Sequence, residues 1–294
     1  MEKRRSLYLL GVGAVFCALI FEAKAQTLNF ASTENNQPIE ITAEQGIEWQ
    51  RDKLIFLAKG NAHAIRGDVN VYADTLKAHY REKAGIDPKT QANSKGTEIW
   101  RLDADSNVRI VSPGQKAFGD KGVYDVDKAI LVLTSAGKKR VRFVTEQDII
   151  TSDRQIEYWE AKQMAVARGD AIAKREDRVL KADVLAAYFR KDKDGKSKVY
   201  RIEAFDNVRV NTAEERAIAD RGVYVVATGI AVLTGRVRMF RGPDQLNGCK
   251  AEINLNTGIS KLFSCPPSAE GGGRVHGVLK SSKGKKPVPA GKEK

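Results

Sequence analysis

Histidine, cysteine and proline are all scarce in this chain, and the first two shortages remove whole classes of chemistry. Only His63, His79 and His276 occur in 294 residues, with no pair at metal-ligating spacing, and no CxxC is present. There is no G-x-S-x-G elbow of a nucleophilic hydrolase, and Gly11-Val-Gly13 falls in an N-terminal leader. The Lys191–Ser197 stretch offers Asp192, Asp194 and Gly195, but not the sixth-position glycine and twelfth-position acid of a calcium loop. Its Gly-Lys-Ser also fails as a phosphate loop, because Arg190 stands where the upstream glycine is required. Binding is therefore a better reading than catalysis, and no cofactor or metal is expected.

Long apolar runs are missing as well. The one candidate, from Ser6 to Phe21, is short beside the roughly 20 residues that span a bilayer. Lys3, Arg4 and Arg5 precede it and Ala23-Lys24-Ala25 follows it, which reads as an export signal over 1–25 cleaved before Gln26. The rival reading is an uncleaved anchor. Residues 26–36 read as a flexible lead-in. At the other end, 266–294 carries Gly271-Gly-Gly273, Lys283, Lys285, Lys286, Pro287 and Pro289 with little to bury, and is expected to be disordered. The formal charge is +13, and this basic tail could meet anionic lipid or simply solubilise the chain. Nucleic acid is not an expected partner of an exported protein.

Removing the leader removes Cys17, so Cys249 and Cys265 alone remain. They lie at equal distances from Thr257 in Asn256-Thr-Gly258, a turn whose glycine can take positive φ. A cross-strand disulfide follows in an oxidising compartment, unless the demanding geometry of facing strand positions leaves two free thiols.

What the chain has in abundance is repetition. Trp100-Arg-Leu-Asp-Ala104 through Asn107-Val-Arg-Ile110 recurs as Tyr200-Arg-Ile-Glu-Ala204 through Asn207-Val-Arg-Val210. The register holds through Gly122-Val-Tyr124 and Gly222-Val-Tyr224 to Ile130-Leu-Val-Leu133 and Ile230-Ala-Val-Leu233. An earlier stretch, Ile47-Glu-Trp49 with Gly60 and Ala73-Asp74, returns as Ile156-Glu-Tyr158 with Gly169 and Ala182-Asp183. Short apolar runs rich in Val, Ile, Leu and Tyr alternate with turn residues, the pattern of an all-β protein of about 14–16 strands built from hairpins. The recurrent acids Glu44, Asp74, Asp120, Asp153, Asp183 and Asp220 are read as turn chemistry at hairpin starts rather than as catalytic carboxylates. Recurrent aromatics, among them Trp49, Tyr80, Tyr158 and Tyr224, read mostly as packing elements. The domain boundaries expected are 37–265 for the body, duplicated at about 39–146 and 148–246, with a closing hairpin at 247–265.

The opening Asn36-Gln-Pro-Ile-Glu-Ile-Thr-Ala-Glu44, the run Leu54-Ile-Phe-Leu-Ala-Lys-Gly60 and the later Gly122-Val-Tyr124 and Ile130–Thr134 blocks resemble the OstA-like (LptA) family of periplasmic lipopolysaccharide-transport proteins. The resemblance covers roughly 37–246. It implies a twisted, slightly open antiparallel β-jellyroll in the periplasm whose apolar interior shields the acyl chains of lipid A. It implies inner-membrane LptC and outer-membrane LptD as partners, and end-to-end joining of copies by edge-strand pairing. Carried over residue by residue, Ile39, Ile41, Tyr124 and Val126 match lipid-facing positions, extended to Phe56, Val108, Ile110 and Leu131. Two other readings remain: a membrane-anchored LptC-like component, or a β-solenoid that binds or cleaves polysaccharide.

Overall fold

Burial along the Val69–Glu82 segment alternates on Val69, Val71 and Ala73, then changes phase and alternates on Leu76, Ala78 and Tyr80. A strand has period two, so one extra residue flips every later side chain to the other face. The same slip occurs in most long strands, and it bends each one near its middle.

The computed structural model describes residues 39–82, 97–137, 139–193, 197–213, 215–267 and 273–279. The leader, the 26–36 segment, the 84–96 connection, Asp194-Gly195 and most of the basic tail lie outside the described residues. Two short strands open the fold, β1 (Glu40–Thr42) and β2 (Gly46–Gln50). Long strands follow: β3 (Ile55–Arg66), β4 (Val69–Glu82), β5 (Thr97–Ser112) and β6 (Gln115–Asp125). The middle is four short strands, β7 (Ile130–Thr134), β8 (Val141–Thr145), β9 (Ile149–Ser152) and β10 (Gln155–Trp159). Next come β11 (Met164–Arg175), β12 (Arg178–Lys191), β13 (Ser197–Asn211), β14 (Glu215–Val225), β15 (Ile230–Arg241) and β16 (Asp244–Asn254). Strands β17 (Ile259–Phe263) and β18 (His276–Val278) close it.

All eighteen strands among the described residues, more than the 14–16 expected because four levels are split between two short strands, form one sheet, and every pairing is antiparallel. A solenoid stacks its coils in parallel, so that alternative is excluded. Four levels of the stack are shared by two short strands (β1 with β2, β7 with β8, β9 with β10, β17 with β18), leaving fourteen levels. Their thirteen steps at about 4.8 Å give a stack on the order of 60 Å long. The bends fold it lengthwise into two leaves: the first contains β2, β7, β10 and β17, the second β1, β8, β9 and β18. This is the open, twisted jellyroll expected. One part of the expectation fails: His276–Val278, inside the tail taken as disordered, pairs with β16 at Gln245–Asn247.

The fold line is where the recurrent acids sit. Register breaks fall at Lys59/Ala62, Asp105/Val108, Arg168/Ala171, Phe205/Val208 and Thr234/Val237, each carrying left-handed residues such as Ser106, Asn107 and Arg236. The neighbouring strand presents its acid to that bulge. Asn107 Nδ2 donates to Asp74 and Asn207 Nδ2 to Asp183, both at 2.9 Å, and Arg236 binds Asp220. A Cβ on Gly235 (φ +75°) would lie 2.4 Å from Asp220 Oδ2, so only glycine fits that bulge. The acids thus mark mid-strand bends and hold them, rather than opening hairpins. The reading as turn chemistry is corrected in that respect.

Near the fold line the leaves converge, and side chains there are small. The largest fully buried ones are Val108, Val141, Val208 and Val237. Two apolar clusters line the crease, one from Ala58 to Tyr158 and one from Ala167 to Leu255, and Ile156 packs against both. The closing disulfide forms between Cys249 and Cys265, with Cα atoms 4.8 Å apart. The turn is the four-residue one between Asn254 and Ile259, with Gly258 at φ 71°. The register Lys250↔Phe263 would therefore face Cys249 with Ser264. The bond ties Cys249 to the next residue, just where the chain leaves β17 to cross the crease.

Candidate functional site

The interior widens away from the fold line, and its lining there decides whether space is left. One unbroken row of paired residues crosses the first leaf from β3 to β16. It runs Phe56, Ala78, Leu102, Tyr124, Leu131, Tyr158, then Ala165, Ala187, Ile202, Tyr224, Ala231, Ile253. The second six positions repeat the first in order. Three of them shrink: Phe56 becomes Ala165, Leu131 becomes Ala231 and Tyr158 becomes Ile253. On the second leaf, opposite Ala117 and Ala217, Phe143 is replaced by Met239.

The space follows these sizes. In the N-terminal half a residual cavity of about 60 Å³ lies among Ile41, Phe56, Leu102, Tyr124 and Leu131. That is room for about two waters at roughly 30 Å³ each. In the C-terminal half a groove of about 560 Å³ runs between Ala173, Leu180, Tyr224, Ala231, Met239 and Ile253. Ligand sites for small molecules occupy about 300–1,000 Å³. The first-leaf lip of this groove is apolar or neutral, whereas the second-leaf lip carries Lys174, Arg175, Arg178, Arg216 and Arg241 with Asp177, Glu215 and Asp244. An apolar trough with a charged margin on one side suits an amphiphile.

The lips are organised differently in the two halves. In the N-terminal half Tyr124 Oη donates to Glu160 Oε2 at 3.3 Å, and the Arg66 charge, from the opposite leaf, acts on both. Burial, then the Glu160 charge, pushes the Tyr124 hydroxyl well above its usual range, with Arg66 opposing. Burial also raises the Glu160 carboxyl. In the C-terminal half the place of Glu160 is taken by Leu255: Glu160 N–H donates to Ala129 O, and Leu255 N–H to Gly229 O. The counterpart of Arg66 is Arg175, which Asp148 grips through Nε–Oδ1 (2.7 Å) and Nη2–Oδ2 (2.6 Å), both side chains buried.

The eight residues expected to face lipid all fall in the N-terminal half. Ile39, Ile41, Phe56, Val108, Ile110, Tyr124 and Leu131 border the small cavity, and Val126 packs against the same cluster. Val108 sits at the crease and is 2 % exposed. None of them reaches the larger groove. Its lining (Ala231, Met239, Ile253) was missed, although the one-letter mismatch between Ile130-Leu-Val-Leu133 and Ile230-Ala-Val-Leu233 marked the place.

Both ends of the stack leave apolar side chains in water. Ile47, Trp49 and Leu54 are exposed at one end, and Ile259, Phe263, Val278 and Leu279 at the other, Trp49 at 55 % and Leu279 at 76 %. Among the described residues no cluster of three or more His, Cys, Asp or Glu could hold a metal, and no helix is long and apolar enough to cross a membrane.

The family described as LptA/(LptD N-terminal domain) LPS transport protein matches twice, over residues 40–154 and 149–259. The chain belongs to this family. Among solved structures it is similar to LptH of Pseudomonas aeruginosa, the LptA-homologous periplasmic component of the lipopolysaccharide transport device, at 15 % identity and a TM-score of 0.39. That match covers 46 % of this chain and 95 % of LptH. No curated protein matches. Family membership assigns the chain to lipopolysaccharide transport in general.

Proposed function

We propose that the chain is a periplasmic lipopolysaccharide carrier that shields lipid A acyl chains inside its bent sheet and bridges membrane components through its end strands. The observation that carries this reading is the 560 Å³ groove with apolar walls and a charged second-leaf lip. Acyl chains cross water at about 0.8 kcal/mol per exposed CH₂, so a continuous oily crease lowers the barrier with no covalent step. The outer edges of the end levels, unpaired among the described residues and with Ile47, Trp49, Ile259 and Phe263 exposed, fit β-augmentation by LptC-like, LptD-like or identical neighbours.

Native mass spectrometry of the full chain extracted from membranes in mild detergent tests both parts. The expected spectrum contains adducts at the mass of lipopolysaccharide and multiples of the chain mass. A bare monomer that also fails to take up purified lipopolysaccharide would end the proposal. A mature N-terminus at Gln26 would further separate a free carrier from the anchored LptC-like alternative.

A further inference from the structure

The two halves share a fold line almost atom for atom. A Cβ on Gly122 would meet Leu133, Val108 and Ala104 at 3.2, 3.4 and 3.6 Å, and one on Gly222 would meet Leu233, Val208 and Ala204 at 3.2, 3.6 and 3.7 Å. Yet one half is filled and the other hollow. The central difference lies at the next positions outward, where a leucine between two tyrosines (Tyr124, Leu131, Tyr158) becomes an alanine between a tyrosine and an isoleucine (Tyr224, Ala231, Ile253).

The lips differ in the same sense. Arg66 on one leaf and Tyr124 with Glu160 on the other place opposite charges across the mouth of the filled half. In the hollow half Leu255 supplies no carboxylate, and Asp148, on the same leaf, holds Arg175. In both halves a second-leaf arginine acts across the mouth on the inner tyrosine, Arg66 on Tyr124 and Arg175 on Tyr224, but only the filled half adds a carboxylate, Glu160, to what an acyl chain entering sideways must pass.

We propose that the halves are a narrow and a wide copy of one groove, so that each chain lodges one acylated amphiphile. Its tails lie in the C-terminal half over Ala231, and its anionic head rests at the lip bearing Lys174, Arg178 and Arg216. Ala231 is the residue that sets which half is occupied. This rests on the carrier reading and narrows it from a continuous channel to one loading site per chain.

The test compares wild type, Ala231→Leu and Leu131→Ala as full-length folded chains, with purified lipopolysaccharide read by native mass spectrometry and a dansyl-labelled fatty acid read by fluorescence. Wild type should take up one lipid per chain. A231L should weaken uptake by at least about tenfold while raising Tm, because the leucine fills existing space. L131A should admit a second lipid. Equal uptake by A231L and wild type, or two lipids on wild type, would overturn the inference and leave the carrier reading standing. No uptake by wild type of either probe would overturn both.

Discussion

In the N-terminal half the inner row of the first leaf is Phe56, Ala78, Leu102, Tyr124, Leu131 and Tyr158; in the C-terminal half the same six positions are Ala165, Ala187, Ile202, Tyr224, Ala231 and Ile253. The backbone register is the same, and the bulges fall at matching places. What differs is side-chain volume one step out from a crease that hardly changes. A fold of this kind can therefore vary its capacity without altering its architecture, since Ala, Val and Gly at the crease set the bend and the next residues set the space. Duplicated halves are free to diverge in this way because each bends on its own acids and bulges.

That contrast is sharpest where charge is buried. Asp148 and Arg175 form the buried pair beside the hollow half, and Asp148→Asn removes the carboxylate charge that grips the guanidinium at two points. Such losses cost about 3–5 kcal/mol, and the urea midpoint should fall accordingly. A loss under about 1 kcal/mol, the level of an exposed pair, would mean that Asp148 does not pin Arg175 and that the lips are alike.

Packing offers a matched comparison. Gly122→Ala and Gly222→Ala each push a methyl to 3.2 Å from a leucine. In the filled half Leu133 has nowhere to move, so G122A should destabilise by about 1–3 kcal/mol. Leu233 borders the groove and can yield into it, so G222A should cost clearly less. Equal shifts in thermal unfolding would contradict the difference in filling.

The smallest effect concerns the closure of the filled half. Burial raises the Glu160 carboxyl above its ordinary 4.5, so the native state holds this proton more tightly than the unfolded chain does. Its contribution to stability is present below the unfolded value and is lost as pH rises through the higher folded one. Glu160→Gln removes that loss. The variant should match wild type at about pH 4 and exceed it at neutral pH, by less than about 1 kcal/mol after solvent screening. Tm measured across this range decides it, and parallel curves would show that Glu160 is solvated.

Much of the architecture was legible. Alternating apolar residues announced strands, the repeat announced equivalent levels, and Asn256-Thr-Gly258 placed the last turn. The bends were not read, because Ala73-Asp74 and its relatives look like hairpin openings until the phase change on either side of them is followed. The groove was not located either. The resemblance pointed to Ile39, Ile41 and Tyr124, which border the filled half, whereas the hollow depends on Leu131 and Ala231 occupying the same inward position between tyrosines.

The sequence by itself determined that this chain is a stack of antiparallel strands, because period-two burial and turn chemistry are local properties. It also determined which residues correspond, because a repeat keeps its spacing. Only the tertiary structure decided where the strands bend and where room remains, since free volume is the difference between side chains that the mid-strand bends bring face to face from the two leaves.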